Sequence, residues 1–418
     1  MSGLDAWLEA QERHSAAAMA AAVSATHLRH TRPAFGLTVV PAAGSVLASP
    51  VPALWDPEPD YFYHWVRDAG VVMLSAVPLS ADPAWRRRLA DYVRFSLAIA
   101  TRPGPAHNPL AETTSADHRR FLRPDAELAA LHGDALLGEP RANADGSVDV
   151  ERWSRPQFDG PALRALSVLA AMEVFAHAPG PVEAAERLLR LDLGHVLAHA
   201  GEPAIGPWEE EPAALDAFTL LAQRAALAAA GERLGDIGPA LRRIDRALDA
   251  LWCGDHFKAS SNAEPGESDA ATILGALLGA ADAPFGVGDE RMAGTARHIA
   301  RWSRAAYPLA ADLPLVGRFP GDVYFGGNPW LPTSLGFAEF HFRRARLLGY
   351  EAELVAGTRY LEAVRRALPQ PGALPEQLDR TTGAPTSCRD LTWSHAALLA
   401  AAQARRDALS SSGRGAGS

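Results

Sequence analysis

Two stretches place carboxylates where they could do chemistry. In Trp208-Glu209-Glu210-Glu211 a large aromatic stands beside three consecutive acids. In Gly372-Ala373-Leu374-Pro375-Glu376-Gln377 a single acid lies in a loop flanked by Pro and Gly. Glycosidic cleavage needs two such groups: a protonated carboxyl that gives its proton to the leaving oxygen, and an ionised carboxylate that activates water or attacks. Each stretch also has an ordinary structural reading. Pro212 and the apolar run Ala213 to Ala230 read as a helix start, where acids complement the dipole, and Glu211 is the acid best left to that role. Glu376 alone reads as a solvated loop acid. Three further loops add weight to the chemical reading. One carries Tyr61, Tyr63, Trp65, Arg67 and Asp68, one runs from Trp153 to Asp159, and one runs from Gly317 to Trp330 and includes Arg318 and Tyr324. The Glu376 loop continues to Arg389-Asp390-Leu391-Thr392-Trp393. Aromatic faces stack on sugar rings, and Arg67, Asp68 and Arg318 offer charged hydrogen bonds to hydroxyls. Singly, any of these tryptophans reads as core and Arg67–Asp68 as a structural ion pair; together they point to a sugar site.

Other chemistries find less support. The 14 histidines include no pair at metal-ligand spacing next to a carboxylate-bearing helix, so no metal is expected. No nucleophile elbow, phosphate loop or dinucleotide fingerprint occurs in a strand–helix context, so no cofactor is expected either. With only two cysteines there is no disulfide framework, and Cys388 reads as a small buried thiol. Forty basic against 49 acidic residues give a net charge of −9 without a basic run, which argues against nucleic acid and anionic membranes as partners. No apolar run approaches spanning length, and Met1 to Arg13 carries early acids and no apolar signal core, so a cytoplasmic protein is expected.

The elements that must position these loops are Ala-rich helical patterns. They cover Asp5 to Arg29, the segment following Asp68 through Val77, Trp85 to Ala100, and 162–178, 182–198, 213–233, 238–252, 268–281, 289–306, 334–348, 350–367 and 391–408. Short β-compatible pieces occur at Phe35 to Val40 and Gly44 to Ala48, and 102–158 reads as mostly irregular. About twelve helices joined alternately by short and long loops suit a closed ring of helix hairpins more than an open solenoid, with function on the long loops. A single domain over 1–409 and a Ser/Gly-rich, disordered tail at 410–418 are expected.

The loops also resemble, in order along the chain, the catalytic domain of glucoamylases, glycoside hydrolase family 15. The resemblance rests on Gly44-Ser45-Val46-Leu47-Ala48-Ser49-Pro50, Tyr61 through Asp68, Leu137-Gly138-Glu139-Pro140, and Arg155-Pro156-Gln157-Phe158-Asp159-Gly160-Pro161-Ala162-Leu163-Arg164. Trp208-Glu209-Glu210, Gly326-Gly327-Asn328-Pro329-Trp330, Glu376-Gln377 and Arg389-Asp390-Leu391-Thr392-Trp393-Ser394 complete it. It implies an all-α (α/α)6 barrel and exo-acting, inverting release of glucose from α-glucans or oligosaccharides. It further implies Glu209 as general acid and Glu376 as general base. Arg67, Asp68 and Arg318 would bind the terminal sugar, and Glu210 the next one. Tyr61, Trp65, Trp153, Trp208, Tyr324, Trp330 and Trp393 would line the pocket. Pro207, Phe158, Gly326 and His395 depart from the pattern of the family, which bears on linkage and chain-length preference, including isomaltose, dextran or trehalose as substrates. Two other functions compete with hydrolysis. A non-catalytic oligosaccharide binder on the same barrel would not need both glutamates, and a uronic-acid lyase or epimerase would need a cationic pocket with Tyr or His bases.

Overall fold

Unbranched and Ala-rich segments lose little side-chain freedom on coiling, and helices dominate the chain accordingly. The computed structural model describes residues 3–53, 58–175 and 178–415. In chain order the helices are α1 (Gly3–Ala22), α2 (Val66–Ala76), α3 (Pro83–Thr101), α4 (Asp125–Ala129), α5 (Asp159–Val174), α6 (Pro179–Ala198) and α7 (Ala217–Ala230). They continue as α8 (Gly238–Asp249), α9 (Ala271–Ala276), α10 (Glu290–Ala306), α11 (Leu331–Leu348), α12 (Glu351–Ala367) and α13 (Thr392–Gly415). The strands are short antiparallel pairs: β1 (His30–Arg32) with β2 (Leu37–Val39), β3 (Tyr63–Trp65) with β4 (Arg141–Asn143), and β5 (Gln377–Leu378) with β6 (Pro385–Thr386).

The chain divides into two compact units. One comprises Ala20–Ala213 and Ala229–Ala240. In it α5 packs against α2 and α6, and α6 against α3. Helix α5 is apolar almost all round, and Leu163, Ala165 and Val168 are fully buried. Its contact with α2 requires Gly70, where a Cβ would stand 2.8 Å from the Leu163 backbone. In the middle of α5, Arg164 is buried with Asp192 of α6 as a two-pronged ion pair at 2.9 and 2.6 Å. Asp82 caps α3 by accepting the Ala84 N–H at 2.8 Å, with Pro83 in the first turn.

The other unit comprises Met1–Met19, Ala214–Ala228 and Leu241–Ser418. Here α11 packs against both α12 and α13, and Phe337, Phe340 and Phe342 are fully buried. Helix α11 ends on Gly349, whose φ of +71° is the left-handed conformation a C-cap favours.

Several expected boundaries move. Helix α1 stops at Ala22, seven residues before Arg29 (29 − 22), because Ser24 turns the chain at φ +58° and Val23 bridges to Val46. Only 271–276 of the expected 268–281 helix is α-helical. The stretch 102–158 is less irregular than its composition suggests, since it contains α4 and β4. Helix α13 continues past Leu409 to Gly415, into the segment expected to be disordered, and 416–418 lie outside the described residues, as do 176 and 177 of an expected helix. Among the described residues no helix is long and apolar enough to cross a membrane.

Candidate active site

Glu209 takes its position from its own backbone turn. Its φ is +65°, a conformation that costs a non-glycine residue on the order of 1 kcal/mol or more and persists only where neighbours hold it. Here the Glu209 N–H donates to Gly206 O at 3.0 Å and the Ser154 hydroxyl donates to Glu209 O at 2.7 Å. The chain then reaches a cis peptide at Glu211–Pro212, and α7 begins only at Ala217, with the Asp216 carboxylate accepting the Thr219 N–H at 3.0 Å. The expected helix start at Pro212 is therefore displaced. Asp216 supplies the cap, and Glu211 is not a helix-terminal acid.

The Glu209 carboxylate collects four N–H donors, from β3, α2 and the loop before α5. Trp65 Nε1 at 2.9 Å, Gln157 Nε2 at 3.1 Å and Arg67 at 3.3 Å all donate to Oε1, while Trp153 Nε1 donates to Oε2 at 2.7 Å. The β3–β4 pairing sets Trp65 opposite Arg141. The buried Arg141 guanidinium lies over the rings of Trp153 (3.8 Å), Tyr63 (4.1 Å) and Trp65 (5.0 Å), and Asp149 anchors it at 2.9 Å. This cation–π stack fixes the two indoles whose N–H groups meet Glu209. Tyr61 adds an edge-on contact to Trp65 at 5.4 Å.

Arg67 is buried at the start of α2. Besides Glu209 it reaches Gln157 at 2.8 Å, Asp159 at 3.3 Å and Asp68 at 3.5 Å. Burial pulls its pKa down, but Asp159, Glu209 and Asp68 outweigh that and hold the guanidinium above its ordinary value. Burial pushes the Asp159 carboxyl up, Arg67 opposes that, and nearby Glu209 adds to it. Trp208 is half-buried and Glu210 is exposed.

Glu376 is held differently. Its N–H donates to Cys388 O at 2.8 Å, and its carbonyl accepts the Leu331 N–H at 2.8 Å, which fixes the backbone between β6 and the start of α11. Its buried carboxylate accepts from Trp330 Nε1 at 3.1 Å and from the Ser387 hydroxyl at 2.5 Å. Trp393 packs edge-on against Trp330 at 5.1 Å. In the same unit Arg318 is clamped by Asp322 through two bonds of 2.8 and 2.6 Å, and its guanidinium lies 5.1 Å from the Tyr324 ring centre. Gly327 (φ +65°) closes this turn, where a Cβ would lie 1.8 Å from Asp322 O.

Thus Trp65, Arg67 and Trp153 meet Glu209, and Trp330 meets Glu376. Sequence reasoning passed over Arg141, Gln157, Asp159, Ser154, Asp322 and Ser387 as site residues. Gln157 and Asp159 stand inside the Arg155 to Arg164 motif; Ser387 and Arg141 give no local signal. One expectation needs correcting. His195 and His199 are four residues apart at the end of α6 and do meet a carboxylate, that of Asp134, at 2.7 Å each. The acid comes from a distant turn, so spacing alone did not reveal it.

The family model for "Glycosyl hydrolases family 15" matches residues 26–348 and 350–403. The chain belongs to this family. It is 26% identical over 436 residues to the glucoamylase of Blastobotrys adeninivorans, covering 84% of this chain and 66% of that protein. It is likewise 26% identical over 483 residues to glucoamylase 1 of Rhizopus oryzae, covering 97% and 72%. The chain therefore spans about two thirds of the length of these relatives. Among solved structures it resembles the glucoamylase from Saccharomycopsis fibuligera with a TM-score of 0.76 at 20% identity, covering 97% of this chain and 96% of that one. The family 15 glucoamylase from Hypocrea jecorina gives 0.73 at 22%, covering 96% and 72%. The fold shared with these structures is the expected all-α (α/α)6 barrel.

The departures from the family 15 pattern have identifiable surroundings. Phe158 packs on His199 and His195 at 4.5 and 5.2 Å. The buried His395 pairs with Asp390 at 2.7 Å and Ser15 at 2.9 Å. Gly326 adopts φ +93° in the turn before Asn328, and Pro207 is buried beside Trp208.

Proposed function

We propose that this family 15 hydrolase is an exo-acting, glucoamylase-like α-glucosidase that releases glucose, with inversion, from the non-reducing ends of soluble α-glucans or oligosaccharides. The observation that carries the proposal is the setting of Glu209: a carboxylate presented by a left-handed turn and fixed by two indoles, an amide and a guanidinium.

Glu209 acts as general acid. Oε1 already accepts three N–H groups and Oε2 one, so the transferable proton is carried by Oε2. It passes to the glycosidic oxygen as the bond to the anomeric carbon breaks. Glu376, oriented by Trp330 and Ser387, is the general base that takes a proton from water attacking the opposite ring face. Asp68, Arg67 and Arg318 bind the terminal sugar, with Arg67 also orienting Glu209. Glu210 contacts the next residue, and Tyr61, Trp65, Trp153, Trp208, Tyr324, Trp330 and Trp393 form the apolar walls.

The decisive measurement is NMR of the first product from maltotriose. Inversion of an α-linkage yields β-glucose; α-glucose as the first anomer refutes the mechanism, and no glucose at all refutes the activity. Running maltose, isomaltose, trehalose, maltoheptaose and dextran in parallel identifies the preferred linkage and chain length.

A further inference from the structure

We propose that Asp134, His195 and His199 form a binding site for a divalent cation of the zinc class. His195 lies in the last turn of α6 and His199 caps it, a four-residue separation that places both imidazoles on one face. Asp134 reaches between them from the turn Gly133–Leu136, with Oδ1 2.7 Å from His195 Nδ1 and Oδ2 2.7 Å from His199 Nε2. One ligand atom from each residue lies within 4.8 Å of the others. The rings are 4.5 Å apart and inclined at 47°, so their in-plane lone pairs can converge on one ion. His199 has the outer partner that orients a metal-bound imidazole: its Nδ1 is 2.7 Å from Glu202 Oε2. Phe158 packs against both rings and closes one side. The His199 and Asp134 side chains, 24% and 56% exposed, leave the other side open for entry and for a solvent ligand.

Two imidazoles and one carboxylate suit zinc better than magnesium or calcium, which take oxygen ligands. A second cluster, Asp255, His256 and His298, has the same residue types. Its rings stack 3.6 Å apart at 14°, so their lone pairs run side by side and do not meet at a common ion, and His256 Nε2 is bonded to Pro265 O at 2.6 Å. That cluster serves as the internal control. A cation at Asp134 would tie the end of α6 to the segment that continues into Gly138 and Glu139. The Gly138 carbonyl accepts the Gln157 N–H at 3.0 Å, and Glu139 accepts from Arg123 and Arg155. The ion would thus brace the loop that presents Gln157 to Glu209.

The test is calorimetric titration of the chelator-stripped full chain with zinc, repeated with cobalt(II) and followed by its visible absorption. The expected result is about one high-affinity equivalent, no competition from magnesium or calcium, and an intense tetrahedral-type cobalt band. Asp134→Asn and His199→Gln should each weaken zinc at least tenfold and remove the band, whereas His298→Gln should change neither. Thermal melting of the metal-free variants verifies their folding, and the wild-type cobalt spectrum is independent of every variant. Absence of uptake by the wild type, or loss of uptake in His298→Gln but not in Asp134→Asn or His199→Gln, overturns the site.

Discussion

Glu209 and Glu376 share a residue type and an indole donor, yet they are held by different means. Glu209 stands in a left-handed turn, and its carboxylate is approached by N–H groups from Trp65, Trp153, Gln157 and Arg67. Glu376 has its backbone bonded on both sides, to Cys388 and Leu331, and its carboxylate accepts from Trp330 and Ser387. In the first region a left-handed turn is held by one main-chain and one side-chain bond, from Glu209 N–H to Gly206 and from the Ser154 hydroxyl to the Glu209 carbonyl. In the second both backbone bonds run to the main chain of neighbouring segments. A proton donor must lose its proton at one oxygen while the other stays anchored, which suits the uneven loading of Glu209. A base that deprotonates water needs an oriented carboxylate, which the bonds from Trp330 and Ser387 provide.

The largest expected effect removes either carboxylate. Glu209→Gln and Glu376→Gln should each lower glucose release from maltotriose by roughly 10²–10⁴, the usual worth of general acid–base groups. Near-native turnover in either would dissolve the comparison, because that glutamate would have no chemical role.

Next come the donors. Trp153→Phe keeps the ring over Arg141 but removes the N–H from Oε2, and Ser387→Ala removes the hydroxyl from Glu376. Hydrogen bonds to charged groups are worth about 1.5–3 kcal/mol, so kcat should fall by roughly 10- to 100-fold in each. If Trp153→Phe loses far more than Ser387→Ala, orientation matters more for the acid than for the base; equal losses would remove that distinction.

Asp159→Asn tests the layer beneath Glu209. It takes a charge away from Arg67 while preserving the shape of the side chain, and should lower kcat/KM by about tenfold, because Asp159 acts through Arg67, which both orients Glu209 and binds sugar. An unchanged kcat/KM would leave Asp159 without a positioning role.

The smallest effect concerns stability and pH in the unit that contains Glu376. Burial would raise the Glu353 pKa, but hydrogen bonds from His341 and Arg344 hold it at about 2, against an ordinary 4.5. A depressed carboxyl pKa stabilises the fold fully above the unfolded value and loses that contribution as pH falls towards the folded one. Glu353→Gln should therefore melt below wild type at neutral pH, with the gap closing between about pH 4.5 and pH 2. Asp159 has the opposite sign. Burial raises its pKa, so the charge of Asp159 gains no stability above the carboxyl range, and any loss in Asp159→Asn comes from leaving Arg67 less compensated and should not close between pH 4.5 and pH 2. Melting curves of both variants across pH decide the contrast.

Much of this protein can be read locally. The helix inventory follows from apolar periodicity, which needs only neighbours three and four residues away. Glu209, Glu376 and their aromatic companions stand out only together, since each acid alone reads as an ordinary helix-start or loop residue. The same local reading misplaced the start of α7, since Pro212 looks like a first-turn residue until Asp216 is seen to cap the helix. It also overran α1, where Ser24 leaves the helical region.

By itself, then, the sequence determined the all-α class and singled out the loops and the two glutamates proposed for catalysis, because each of these is written in residue type and spacing. Only the tertiary structure decided which groups hold the glutamates. The Arg141 stack, the Ser387 bond to Glu376, the Arg67–Asp159 pair and the Asp134 bridge between His195 and His199 join residues that no periodicity connects. Such partnerships arise from the need to pair polar groups that packing has buried, and packing brings together chain segments whose separation in sequence carries no trace of the contact.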